Sequence, residues 1–236
     1  MAYLPYITDA KLKTIVQSVV DSGAAAMAHA DLSRNVIDPF AVLFEMAAFG
    51  LTETDWEKNE RTRQAQKTLV NQLGNLHQSI LGAVAGWEDL GVGSNAGCDL
   101  VNHERRIVAE VKNKHNTVKK SDEIGLYQSL HDLVMNKNSR YHGYSAYYVR
   151  IIPAKPTPYD LPFTPPDRST GAQAANNPRI RVIDGASFYA LVTGHTNALQ
   201  QLHRALPQVL ADCYPATAHA LKNTAAQQYF KKAYGL

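Results

Sequence analysis

Cysteine is nearly absent from this 236-residue chain: two occur, Cys98 and Cys213, in unrelated contexts. Two isolated thiols exclude a disulfide scaffold and a cysteine-based zinc site, and they fit a reducing cytoplasm. Long apolar runs are missing as well. The uncharged stretches fall far short of the ~18 residues that a membrane span needs, and the first residues, MAYLPYITDAKLK, lack the basic-then-apolar order of a signal peptide. The nine histidines show no H-x-x-x-H or H-E-x-x-H spacing, which leaves zinc-hydrolase chemistry without support. No P-loop occurs, and G-V-G-S-N-A-G misses the dinucleotide-binding G-x-G-x-x-G spacing by one residue. Internal repeats and long polar tracts are also lacking. With 45% hydrophobic and 19% charged residues, the composition is that of a globular chain, and the length suits one domain, with or without a helical annex.

Net charge is only +3, but it is unevenly placed. Between residues 105 and 120, Arg105, Arg106, Lys112, Lys114, Lys119 and Lys120 stand against Glu110 alone, a net +5 in sixteen residues. A concentrated positive excess is the footprint expected of a polyanion contact, although a solvated basic face would read the same way.

The first third reads as helical. From Thr8, the residues Leu12, Ile15, Val16, Val19 and Val20 recur at helical spacing. Asp38-Pro39 is an N-cap followed by proline at the first helical position; it opens FAVLFEMAAF, which stops at Gly50. Thr54-x-x-Glu57 reads as a capping box for a long helix reaching the Gly82–Gly86 region. Two short strands follow, near Ala96–Val101 and Ile107–Lys112, joined by a turn at Asn102-His103-Glu104. Ser121 or Asp122 caps a helix carrying Ile124, Tyr127, Leu130, Leu133 and Val134. SAYYVRII is a strand ended by Pro153, and IRVID, residues 180–184, is another. Asp184 caps a further helix, and the remainder is helical, with Pro207 at a start or a kink. The expected organisation is a single domain over 1–236: mainly helical to 90, a sheet core over 91–184, and helical over 185–236.

Seven of the eleven prolines fall between Pro153 and Pro178, with no usable periodicity. A loop of this length is functional, poorly ordered, or conceals an element.

Asp99, Glu110 and Lys112 form a D-x10-E-x-K pattern within the two short strands. The acid-x-Lys triplet alone decides nothing: about one is expected by chance, and Asp9-Ala10-Lys11 is a second instance, at a helix start. Strand alternation separates the two. Ile107, Ala109 and Val111 point to one face, and Val108, Glu110 and Lys112 to the other. The preceding strand can bring Asp99 alongside. Carboxylates beside an ammonium on a half-buried strand are costly unless used. Paired carboxylates suit a hard divalent ion such as Mg²⁺. The lysine can orient or deprotonate a water, or offset charge on a phosphate. Lys114, Asn116, Thr117, Lys119 and Lys120 follow directly and fit phosphate clamping and base contact. Arg168, Arg179 and Arg181 flank the proline-rich loop and could read guanines.

G-C-D-L, then R-I-V-A-E-V-K-N-K, then a basic turn and a helix, resembles the PD-(D/E)XK nuclease superfamily. The wider run EVKNKHNTVKKSD, placed after a long helix with GNLHQSILG, is similar to type II restriction endonucleases that cut GG-N-CC or GG-W-CC sites. Asp99, Glu110 and Lys112 match the three motif positions, and Cys98 stands where the superfamily's proline would. The resemblance implies a restriction endonuclease-like α/β/α core with a mixed β-sheet and additional N- and C-terminal helices. It also implies Mg²⁺-dependent phosphodiester hydrolysis in double-stranded DNA. The Val111 carbonyl would complete the metal shell, and Gln78, Asn75 or His77 would stand where many relatives place a further carboxylate. A homodimer on a near-palindromic site is expected, with a cognate DNA methyltransferase as genetic companion and no membrane association, in a bacterial cytoplasm. Apolar surface for the second copy would come from helices at 184–212 and from the N-terminal helices. Other readings are a repair or junction-cleaving nuclease of the same superfamily, and a non-catalytic DNA-binding protein.

Overall fold

A computed structural model of the chain describes residues 2–32, 36–91, 97–167, 169–221 and 225–235. It divides into two compact units, residues 16–76 and the remainder.

The smaller unit is helical. It contains most of α1 (Asp9–Ala28), all of α2 (Pro39–Phe49) and most of α3 (Glu53–Gly82). Thr8 starts α1, its hydroxyl accepting from the Lys11 N–H at 3.3 Å. Asp38 caps α2 as expected, accepting from the amides of Phe40 and Ala41, with Pro39 at the first helical position. Gly50 ends it in the left-handed conformation at φ 64°. The long helix begins two residues earlier than the Thr54-x-x-Glu57 box implies. The Thr52 hydroxyl accepts from the Asp55 N–H at 3.2 Å and donates to the Asp55 carboxylate at 2.7 Å. The same threonine-and-acid logic operates two residues upstream.

The larger unit is built on a six-stranded mixed sheet of order β1-β2-β3-β4-β6-β5. The strands are β1 (Glu88–Asp89), β2 (Leu100–Asn102), β3 (Ile107–Lys114), β4 (Ser145–Ile152), β5 (Asp160–Pro162) and β6 (Ile180–Asp184). β3, β4 and β6 run parallel, and the outer pairings are antiparallel. β2 is shorter than the expected Ala96–Val101. Gly97 turns at φ 74°, a conformation no extended strand passes through, so pairing starts at Leu100; Ala96 lies outside the described residues. The proline-rich segment does conceal an element. β5 pairs with β6 at the sheet margin, where Pro162 needs no ladder N–H on its outer side.

Helices cover both faces. On one, Tyr127, Leu130 and Val134 of α4 (Glu123–Met135) pack with Val101, Val108, Tyr148 and Ile180 of the sheet. On the other, Phe188 of α5 (Gly185–Thr193) meets Tyr147 and Trp87, with ring centroids 6.0 and 5.7 Å apart. The Asp184 side chain caps α5, accepting from the Ser187 N–H and hydroxyl at 3.0 and 2.5 Å, and also accepts from the Tyr159 N–H at 2.6 Å. α6 (Ala198–Cys213) buries Leu199, Leu202 and Val209 and carries Pro207 within its length; a 3₁₀ segment (Pro215–Leu221) and α7 (Ala226–Tyr234) follow. This is the α/β/α architecture with a mixed sheet expected from the sequence. No described helix is long and apolar enough to cross a membrane.

Candidate active site

β2 and β3 form an antiparallel hairpin in which Leu100 opposes Ala109. One residue before Leu100, the chain leaves the ladder while remaining tied to it. Asp99 donates its N–H to the Ala109 carbonyl at 2.9 Å and accepts the Leu90 N–H on its own carbonyl at 2.9 Å. Its side chain then takes over where the backbone ladder stops: Oδ2 accepts from the Val111 N–H at 2.7 Å. The carboxylate is thereby fixed beside β3. An extended residue presents its N–H and carbonyl to the same side, so the Val111 carbonyl faces the edge on which Asp99 lies.

Glu110 and Lys112 project from the same face of β3, and Lys112 Nζ donates to Glu110 Oε1 at 2.5 Å. Their side chains retain 19% and 27% of their exposure. Burial, and then the neighbouring Asp99 carboxylate, raise the Glu110 pKa above the ordinary glutamate value despite the ammonium beside it. Burial opposes the charged form of Lys112, but the Glu110 and Asp99 carboxylates outweigh it, and the lysine pKa is raised. The asymmetry has a simple cause: Lys112 sees two anions, whereas Glu110 sees one anion and one cation. Cys98, at the position of the superfamily's proline, is pushed up to about 12 by burial, then by Glu110 and Asp99, and stays a neutral thiol. Asp99, Glu110 and Cys98 line an open cleft of about 320 Å³ with Gly91, Gly97, Leu126 and Ser129.

These donors fit a hard divalent cation. The two hydrogen bonds leave Asp99 Oδ1 and Glu110 Oε2 outside them, and the repulsion that raises Glu110 is the kind a bound cation relieves. Among the described residues, no group of three histidine, cysteine, aspartate or glutamate side chains is assembled for a metal. Two carboxylates and a carbonyl are enough for an ion that keeps several waters. Of the residues considered for a further ligand, His77 is already partnered within the fold. Its Nδ1 lies 2.8 Å from the Tyr189 hydroxyl, and burial lowers its pKa to about 4. Asn75 donates to Gln72, and Gln78 is buried.

The basic segment separates into two groups. Arg105 and Arg106, at the hairpin turn, donate to the carbonyls of Leu191 and His142. Lys114, the last residue of β3, and Asn116, Lys119 and Lys120 beyond it are exposed. Thr117 is spent on the turn, its hydroxyl accepting from the Lys114 N–H at 3.2 Å. Arg179 is exposed and precedes β6, next to where β4 begins, so it lies at the end of the parallel strands opposite Lys112. Arg181 is engaged by Asp160 at 2.6 Å and pairs in register with Tyr147, on the face opposite Glu110. The structure therefore does not bring Arg179 and Arg181 to the carboxylates. Arg168 lies outside the described residues.

Sequence reasoning missed one charged pair. Lys112 stands in register with Arg150 of β4, and Glu110 with Tyr148. Arg150 bonds Glu123, the first residue of α4, at 2.6 Å, and its Cζ lies 4.7 Å from the Tyr148 ring centroid. The signal was a single arginine in the otherwise apolar SAYYVRII. Its partner is 27 residues away, and only the packing of α4 against the sheet joins them.

A mixed sheet covered by helices on both faces, with an aspartate at the end of one hairpin strand and glutamate-x-lysine on the other, defines a restriction endonuclease-like core. The sequence model of the Eco47II restriction endonuclease family matches residues 4–214. The chain is 48% identical over 212 residues to the type II restriction enzyme Eco47II of Escherichia coli, covering 89% of this chain and 87% of that one. It is 31% identical over 216 residues to the type II restriction enzyme Sau96I of Staphylococcus aureus, covering 89% and 80%. The chain belongs to the Eco47II restriction endonuclease family, which places it among the type II site-specific deoxyribonucleases.

Proposed function

We propose that residues 1–236 act as one nuclease domain in the bacterial cytoplasm. It hydrolyses double-stranded DNA at a short near-palindromic site of the GG-N-CC or GG-W-CC kind, with Mg²⁺ as cofactor, as a homodimer, and with a cognate methyltransferase protecting host sites. The observation that carries the chemistry is the convergence of Asp99 and Glu110 beside a Lys112 ammonium. Asp99 Oδ1, Glu110 Oε2 and the Val111 carbonyl are the groups that would hold the metal. Bound there, Mg²⁺ supplies Lewis acidity toward the scissile phosphate and the attacking water.

The chain's own residues divide the remaining work. Lys112 has a raised pKa, so it is an ammonium at neutral pH and acts as a hydrogen-bond donor rather than as a base. It orients the water and offsets negative charge that grows on the phosphate. Glu110 holds Lys112 in place through the 2.5 Å bond. The Val111 N–H fixes the Asp99 carboxylate, so a ligand from outside the strand is as rigid as one on it. Lys114, Lys119 and Lys120 grip phosphates next to the cut.

Digestion of unmethylated plasmid DNA tests this reading. Discrete fragments are expected with Mg²⁺ and none with EDTA. Asp99→Asn keeps an acceptor for the Val111 N–H and should remove cleavage while the protein stays folded. A folded wild-type protein that leaves the plasmid intact, or degrades it without fixed ends, refutes the assignment.

A further inference from the structure

Arg150 is a charge on a strand where charge is expensive. β4 is flanked in parallel by β3 and β6, and the residues around Arg150 on it, Tyr147, Tyr148, Val149 and Ile151, are buried. A cation so placed is costly unless something uses it. The register sets Arg150 opposite Lys112 and Tyr148 opposite Glu110, on one face of the sheet, with the two backbones ~4.8 Å apart. Arg150 thus rises beside the ammonium, on the side of β3 away from Asp99. Its side chain is 19% exposed, as open to solvent as that of Glu110.

The chain gives this guanidinium less than it can take. Of its five N–H donors, one at Nη2 goes to Glu123 at 2.6 Å. Nε is buried and closes no hydrogen bond of normal geometry; nor does the buried hydroxyl of Tyr148, whose ring lies under the guanidinium. Asp184, the register partner of Arg150 on β6, is turned to Ser187 and the Tyr159 amide. Glu123 opens α4, where the helix dipole already favours a carboxylate. An ion pair there holds α4 on β4 no better than apolar side chains of the same volume would. A structural tie therefore does not account for Arg150.

We infer that Arg150 donates to a non-bridging oxygen of the scissile phosphate, as a second catalytic cation beside Lys112. The inference rests on the nuclease reading above and adds a residue to its site. A phosphodiester carries its negative charge on two non-bridging oxygens, and more charge develops there as water adds. Lys112 offers a point charge. The arginine fork offers directed donors, and the Tyr148 ring beneath it fixes its plane.

A duplex in which the cut linkage, mapped by the digest, is replaced by a neutral methylphosphonate tests this. Affinity is measured in Ca²⁺ for the wild type and for Arg150→Met. The replacement should weaken wild-type binding, and its penalty should be smaller by about tenfold or more in Arg150→Met, which has no guanidinium to sense the lost charge. Arg150→Lys should restore part of that difference. Single-turnover cleavage of the ordinary duplex in Mg²⁺ should fall roughly a hundredfold in Arg150→Met. Should the unpaired Glu123 unfold that variant, Arg150→Met/Glu123→Gln removes the whole pair and carries the same expectations. Equal penalties in wild type and variant show that Arg150 serves only the packing of α4, and a difference found at a neighbouring phosphate alone places it elsewhere on the strand. Either result overturns the proposal, while wild-type cleavage leaves the nuclease reading standing. A wild type that neither binds nor cuts the ordinary duplex removes the nuclease reading, and this inference with it.

Discussion

Neutralising the site while preserving its shape, through the double substitution Glu110→Gln/Lys112→Met, should abolish cleavage and stabilise the metal-free protein. Replacing a buried ion pair by uncharged side chains of similar volume is neutral to stabilising by ~1–4 kcal/mol. The two side chains here keep 19% and 27% exposure, so solvent already relieves part of the cost, and the expected gain is about 1–2 kcal/mol. The direction follows from Glu110, whose carboxylate burial and Asp99 disfavour even with Lys112 in contact. Below the ordinary glutamate pKa near ~4.3, Glu110 is neutral in both the folded and unfolded states and costs nothing. Above that value the unfolded chain releases its proton first, and the folded protein loses stability until pH passes the raised folded pKa. The raised pKa of Lys112 acts only at alkaline pH. Between pH 5 and 8 the change therefore belongs to Glu110.

Urea denaturation in EDTA across that range is the assay. The double variant should be the more stable protein at pH 8, and its advantage should shrink toward pH 5. Adding Mg²⁺ should reverse the order, because a ligand bound only by the folded state stabilises it by about 2.7 kcal/mol at a hundredfold excess over Kd. The variant has lost a ligand and should not respond. A double variant less stable than wild type by more than ~1 kcal/mol in EDTA would mean that the Glu110–Lys112 pair serves the fold. An order unmoved by Mg²⁺ would mean that the carboxylates do not hold the metal.

Two further outcomes test the phosphate contacts and the scaffold. Lys114→Ala, Lys119→Ala and Lys120→Ala should each weaken DNA binding similarly on specific and random duplexes. Each should lower the slope of log K against log salt by about one; a changed sequence preference at unchanged slope would show base reading instead. Gly185→Ala should cost at least ~2 kcal/mol in urea, because its Cβ would lie 2.3 Å from the Ile151 carbonyl oxygen and 2.7 Å from Ile151 Cα. A variant within ~0.5 kcal/mol of wild type would show that α5 can shift off β4 freely.

The convergence of Asp99, Glu110 and Lys112 was legible in the sequence because these residues are local. Alternation along one strand puts Glu110 and Lys112 on one face, and an antiparallel partner one turn away can reach Asp99; no long-range information is needed. The helix starts at Thr8 and Asp38 and the cap at Asp184 were legible for the same reason, each depending on the next three or four residues. The errors arose where a local signal had a near-equal neighbour or none. Thr52 competes with Thr54 for the start of α3, and only the backbone path decides. β5 has three residues, one of them proline, and owes its strand geometry to pairing with β6.

The parallel register also sorts candidates that nearness in sequence could not. β6 runs in the same direction as β3, so Arg179 enters the sheet at the end away from Lys112, although both belong to basic or proline-rich stretches flanking the core. One residue into the strand, Arg181 turns to the opposite face and ties β5 through Asp160. Meanwhile Arg150, absent from any motif, stands beside Lys112 because β4 happens to be its parallel neighbour. A cation near the cleft is thus found by tracing strand direction and face, and the lysines exposed where β3 ends, Lys114, Lys119 and Lys120, are the ones the proposal assigns to phosphates. Should salt dependence instead be lost on replacing Arg179, the duplex would have to approach the sheet from the end at which its parallel strands begin, and the path of DNA across this subunit would need to be redrawn.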